Sequence, residues 1–261
     1  MIAPTLKEFA RVAALAVLSI AAYGLDPAGA GEVRLLSAAA MQSVFKNVVG
    51  EFERTAGHRL VISYGTIGGI AQRVQGGESA DLVIGSSLSM PGLVKDGKID
   101  AASLVTICTT GIGLVVPRGD PVPPLASADD FIAAATAAKV VIYADPVRGG
   151  AAGVHIARVL RQLGIADRLK SQITLAAGGD VTEVTLAQGS GALGMTQVSE
   201  IVGKPAAAFV GPLPDGLQNY TVFVAGVPVG AGASEAVRSF IAFLKGPTVI
   251  AAIKANGMQV E

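Results

Sequence analysis

Residues 143–164 read YADPVRGGAAGVHIARVLRQLG. The stretch completes an apolar run (KVVIYA, 139–144), turns through an arginine and two glycines, and passes small residues into an amphipathic segment. Ile156, Val159, Leu160 and Leu163 recur at i, i+3, i+4 and i+7, and Gly164 supplies a helix stop. His155, Arg158 and Gln162 fall on the other sides, and the spacing starts the helix close to Ala152 or Gly153. The first N–H groups of such a helix lack intrahelical partners and carry the positive end of its dipole. Glycine and alanine leave those groups accessible, the arrangement that cradles an anion. Arg148 adds a guanidinium fork suited to a carboxylate. A strand-to-helix turn that merely needs glycine is the alternative reading of the same residues.

The strand–turn–helix unit recurs along the chain. VRLLS (33–37), RLVISY (59–64), DLVIG (81–85), IGLVVP (112–117), KVVIYA, ITLAA (173–177), GALGM (191–195), AAAFVGPL (206–213) and YTVFVAGV (220–227) read as strands, mostly separated by helix-period stretches. The helix of residues 39–57 carries Val44, Phe45, Val48, Val49 and Phe52 at three- and four-residue spacing. Unbroken apolar strands alternating with helices predict an α/β fold with mostly parallel sheets. Ligands of such sheets bind beyond the carboxyl ends of the strands. That rule selects Ser37–Met41 (with Ala39 and Ala40), Tyr64–Gly69 (Thr66, Ile67), Gly85–Ser89 (Ser87) and Asp145–Gly153 (Arg148, Gly149, Gly150, Ala152, Gly153). The loops Gly178–Val181 and Met195–Ser199 (Gln197) occupy equivalent positions. Ser127 is placed to cap the helix after the proline-rich loop 117–130.

Lys+Arg and Asp+Glu are both 20, there is no Trp, and only 5% of the 261 residues are aromatic, which together argue against a nucleic-acid surface. Phosphate-loop, nucleophile-elbow and HExxH motifs are absent from the sequence, and two histidines with one cysteine, Cys108, cannot supply a His- or thiolate-rich metal centre. No cofactor is expected. At the N-terminus Lys7 and Arg11 precede the apolar run 12–23, and Ala28-Gly29-Ala30 offers a cleavage site. This is the layout of a secretory signal over residues 1–30, which predicts a soluble periplasmic protein with no membrane insertion after cleavage.

The ordered set VRLLSAAAM, FERTAGHRLVISYGT, GGESADLVIG, DGKID, DPVRGGAAGVHIARVLRQLGI, GDVTEVTLAQGSGALGMTQVSEI and FLKGPTVIAAIKANGM resembles the periplasmic molybdate-binding proteins. The resemblance covers the whole chain beyond residue 30. It implies the type II solute-binding fold: two α/β lobes around an interlobe cleft, lobe 1 over 31–110 with 226–261 returning to it, lobe 2 over 111–225, and crossings near Thr109–Gly113 and Tyr220–Gly226. It also implies a monomer that hands a small anion, carboxylate or oxyanion, to an ABC-type permease. The family's two serine donors fall by position on Ala40 and Ile67, its tyrosine on Gln197, and its backbone donors on Ala152 and Val181. With the hydroxyl donors replaced, the resemblance implies an organic carboxylate in preference to molybdate. A branch of the family, similar in DPVRGGAAGVH and GPLPDGLQNYTVF, isomerises aconitate by an allylic proton shift. For that reading His155 is the candidate proton-transfer residue, with an ordinary surface histidine as its alternative.

Overall fold

A computed structural model describes residues 31–260; the expected secretory segment lies outside the described residues. The first part of the chain runs β1 (Glu32–Ala38), α1 (Gln42–Ala56), β2 (Arg59–Gly65), α2 (Ile67–Gln75), β3 (Leu82–Ser86), α3 (Met90–Lys95) and β4 (Val105–Thr110). The second runs β5 (Ile112–Pro117), α4 (Ala128–Ala137), β6 (Val140–Ala144), α5 (Ala151–Gln162), α6 (Ala166–Leu169), β7 (Ile173–Ala176), α7 (Val181–Gln188), β8 (Ala192–Gln197) and β9 (Ala207–Pro212). Then come β10 (Thr221–Gly226), α8 (Glu235–Leu244) and α9 (Pro247–Ala255).

Two five-stranded sheets result, ordered β2-β1-β3-β10-β4 and β7-β6-β8-β5-β9. Within each, three strands pair in parallel. One strand, β10 in the first and β5 in the second, runs antiparallel to both of its neighbours. The fold is α/β and two-lobed as expected, but the sheets are mixed rather than mostly parallel. The reversed strand is in each case the one that enters directly from the other sheet. Parallel neighbours need a helical crossover to bring the chain back to the same end, and a strand delivered without one starts from the opposite end.

Gly111 alone separates β4 from β5, inside the expected first crossing. The return crossing is displaced from the expectation. Thr221–Gly226 is β10 of the first sheet, so the chain changes sheets over 213–220 and the expected boundary at 225/226 falls too late. An apolar run such as VFVA fits either sheet, so its pattern could not say which one it joins. Gln218 ties the two crossings together, accepting from Ile112 N at 2.8 Å and donating to Ile112 O at 2.9 Å.

Each sheet has its own core. In the first, Val44, Phe45, Val48 and Phe52 of α1 are buried against Phe240 of α8 and Val249 and Ile253 of α9, with the Phe52 and Phe240 rings edge-on at 4.9 Å. In the second, Phe131 of α4 and Ile156, Val159 and Leu160 of α5 pack with Leu114 and Met195. Ser127 caps α4 within a reciprocal capping box with Asp130. Gly164 follows α5 in the left-handed region at φ 69°, as its stop requires. Among the described residues no single helix is long and apolar enough to cross a membrane.

Candidate functional site

The carboxyl ends of β1, β2, β6 and β8 meet at one narrow cavity, part of it open to solvent. Ala38–Ala40, Gly65–Ile67, Gly150–Ala152 and Gly178–Gly179 line it. These residues are the N-terminal mouths of the 3₁₀ turn leading into α1, of α2, of α5 and of α7. Four helix starts thus converge, and most lack side-chain caps: no side chain bonds the first N–H groups at the turn of Ala39–Met41, at α5 or at α7. Only α2 is capped, by Thr66 Oγ1, which accepts from Gly69 N at 3.0 Å. Converging helix N-termini place the positive ends of their dipoles at the cavity, and no cationic side chain lines it.

The two lobes touch beside this cavity. Thr66 Oγ1 donates to Arg148 O at 2.5 Å, and Gly68 N donates to Gly149 O at 3.0 Å. The approach depends on both residues lacking side chains: a Cβ on Gly68 would lie 2.8 Å from Gly149 Cα, and one on Gly149 the same distance from Gly68 Cα. Nearby, Ser43 Oγ donates to Ser199 O at 2.9 Å.

The charged side chain in the cavity is an acid. Glu200, in the turn after β8, lines it together with Thr196 and Gln197. Thr196 Oγ1 donates to Glu200 Oε2, and Thr182 Oγ1 of α7 donates to Glu200 O at 2.9 Å. Burial pushes the Glu200 carboxyl up to about 7; the Thr196 hydrogen bond and Lys204 pull against that rise, while Glu183 and Asp180 add to it. Lys204 itself is paired with Glu183. Gln197 Nε2 donates to Thr221 Oγ1 at 3.3 Å, and Gln197 Oε1 and Ser199 Oγ are buried without a hydrogen-bond partner. At the neighbouring open side, burial pushes the Tyr64 phenol up to about 12.

Of the residues expected from the sequence, Ala39, Ala40, Thr66, Ile67, Gly150, Ala152 and Gln197 line the cavity together. Arg148 lies instead in an adjoining open groove with Gln42, Asp180 and Glu183. Val181 is the first residue of α7, the position expected to offer its backbone N–H, with its side chain buried in the second lobe. Gly153 serves packing: a Cβ there would sit 2.0 Å from Ala144 O, so its absence lets α5 lie on β6. Gly149 makes the contact with Gly68 just described.

Ser87 and His155 line a separate cavity, with Arg158 and Asn219–Val222. His155 is one turn into α5, 8% exposed, with both ring nitrogens engaged. Arg158 Nη2 lies 2.7 Å from Nδ1, and Leu217 O lies 2.7 Å from Nε2. Because a guanidinium only donates, Nδ1 accepts and Nε2–H donates to Leu217 O. Both ring nitrogens are thus engaged, and the ring does not line the central cavity. Thr196, within the expected loop Met195–Ser199, and Glu200, one residue beyond it, do line that cavity. The available signal was the polar run TQVSE directly after an apolar strand, at a carboxyl end. Among the described residues no group of three or more His, Cys, Asp or Glu side chains is placed to hold a metal ion.

A two-lobed α/β molecule whose helix mouths meet between the lobes is the architecture of a solute-binding protein. The profile of the bacterial extracellular solute-binding protein family matches residues 33–259, and the chain belongs to that family. The sequence is 26% identical over 233 residues to aconitate isomerase of Pseudomonas sp, covering 86% of each chain. It is also 26% identical over 239 residues to the molybdate-binding protein ModA of Azotobacter vinelandii, covering 90% of this chain and 92% of that one. The fold matches the solved periplasmic molybdate-binding protein of Azotobacter vinelandii with a TM-score of 0.73 at 21% identity, over 88% of this chain and 99% of the other.

Proposed function

We propose that this protein binds a small organic carboxylate in the interlobe cleft, in preference to molybdate. The observation that carries the reading is the donor set of the central cavity. Four helix mouths line it, three of them with no side-chain cap, while its hydroxyls are committed elsewhere: Thr66 donates to Arg148 O and Thr196 to Glu200. A compact dianion needs many donors, and each missing hydrogen bond to a charged group costs about 1.5–3 kcal/mol. Ala39, Ala40, Ile67 and Ala144 instead offer carbon surface. A carboxylate with a hydrocarbon body satisfies both sides. Export to the periplasm, a monomeric state and delivery to an ABC-type permease complete this reading, in keeping with the N-terminal sequence and the family.

A specific observation supports a second reading, isomerisation of an unsaturated polycarboxylate as in the similar aconitate isomerase. An allylic proton shift needs a group that takes a proton from one carbon and returns it to another. The Glu200 carboxyl, in the cavity and titrating near neutrality, has the chemistry for it.

An NMR time course of the purified protein with trans-aconitate, beside thermal melts with trans-aconitate and with molybdate, tests both readings. A ligand at about 100 times its Kd adds about 2.7 kcal/mol of stability. Stabilisation by trans-aconitate alone, without conversion, supports the carboxylate binder. Appearance of cis-aconitate supports the isomerase, and stabilisation by molybdate alone refutes both.

A further inference from the structure

The central cavity combines two features that oppose each other. Its backbone attracts an anion, yet a carboxylate side chain lines it. Among the described residues Glu200 forms no ion pair: Lys204, the nearby base, is held by Glu183 and acts on Glu200 only from a distance. From α7 the other charged groups around it are Asp180 and Glu183, both acids. On β8 its partner is the Thr196 hydroxyl, and the first-lobe residues that share the cavity with it, Ala38–Ala40, Gly65–Ile67 and Phe223, carry no charge. The Gln197 amide can turn over to offer either Oε1 or Nε2, with Thr221 Oγ1 serving either end as partner. A carboxylate cannot adapt in that way except by gaining a proton.

We infer that the anion enters this cleft together with one proton, which resides on Glu200 and turns it from a repelling charge into a hydrogen-bond donor to the ligand. The inference rests on the anion-binding reading above and adds the protonation state in which the site works. An anion held within reach of Glu200 raises its proton affinity further, since like charges in one low-dielectric site cannot both persist. By linkage, affinity for an anion that does not itself titrate is flat at pH values where unliganded Glu200 already holds its proton. It then falls by about tenfold per pH unit above that range.

Calorimetric titration of the full chain with trans-aconitate tests this, at pH 6 and pH 8, in pairs of buffers that differ in ionisation enthalpy. Uptake of about one proton per bound anion is expected at pH 8 and much less at pH 6, with Kd rising several-fold or more between them. In Glu200→Gln, whose amide imitates the protonated acid, uptake and pH dependence both disappear. The wild-type uptake is decisive even should the variant fail to fold. Binding without proton uptake at pH 8, or undiminished uptake by the variant, overturns the inference and leaves the anion reading standing. Absence of binding at either pH overturns both.

Discussion

Substituting Gly68 by alanine separates closure of the cleft from stability of the lobe that carries it. Gly68 is the second residue of α2 and has no positive φ, so alanine suits the helix and favours it by up to about 1 kcal/mol. Its methyl would meet Gly149 Cα at 2.8 Å and Gly149 O at 3.1 Å across the cleft, contacts that backbone atoms cannot yield without moving the lobes apart. Two hydrogen bonds depend on that approach, Gly68 N to Gly149 O and Thr66 Oγ1 to Arg148 O. At about 0.5–1.5 kcal/mol each, their loss withdraws about 1–3 kcal/mol from the closed state. Because the ligand is gripped from both sides only when the lobes meet, that loss appears as a Kd raised roughly 5- to 150-fold. The assay is calorimetry with whichever anion binds the wild type, paired with small-angle scattering and a ligand-free melt. The expected pattern is weaker binding, a larger radius of gyration and an unchanged or slightly raised melting temperature. Unchanged affinity with unchanged dimensions would refute the argument, and so would a lowered melting temperature, which would place the clash inside the lobe instead of between the two.

Much of this fold was legible because local chemistry and tertiary placement agree. The stripe Ile156, Val159 and Leu160 is buried where its spacing puts it, and the rule for carboxyl ends of strands led to the loops that do form the cavity. Three things escaped for physical reasons. The position of β10 depends on which sheet edge the returning chain meets, and apolar alternation carries no such information. Glycines at a helix mouth read alike whether they expose N–H groups or admit a neighbour: Gly150 lines the cavity, whereas Gly153 makes room for Ala144 O and Gly149 for the opposite lobe. Charge misled as well. Arg148 looked like the ion partner of an anion and lies in the adjoining groove, while the side chain that does enter the cavity is an acid, unremarked in TQVSE because its burial comes from elements far away in sequence.

The cavity's chemistry makes further outcomes measurable. Ala40→Ser together with Ile67→Ser returns two hydroxyls to the cavity wall and should tighten molybdate binding by at least tenfold, from about 1.5–3 kcal/mol per hydrogen bond to charge; no gain by calorimetry would mean these positions do not face the ligand. Gly153→Ala drives a methyl to 2.0 Å from Ala144 O, and a loss of about 1–3 kcal/mol or more in a denaturant melt is expected. Glu200→Gln should stabilise the ligand-free protein in a pH-dependent way. The folded carboxyl titrates near 7 against an ordinary 4.5, so between those values the folded state holds a proton that the unfolded chain releases. The wild type therefore carries no penalty below about pH 4.5, accumulates one as pH rises, and bears it in full above about pH 7. Two and a half units correspond to about 3 kcal/mol, which for a chain of this size is roughly 6–12 °C of melting temperature. The amide has no charge to bury, so the variant's advantage should be larger by that amount at pH 8 than at pH 4.5. An advantage that is the same at both would show that Glu200 is solvated as an ordinary surface acid, and the cavity would then have no need of its proton.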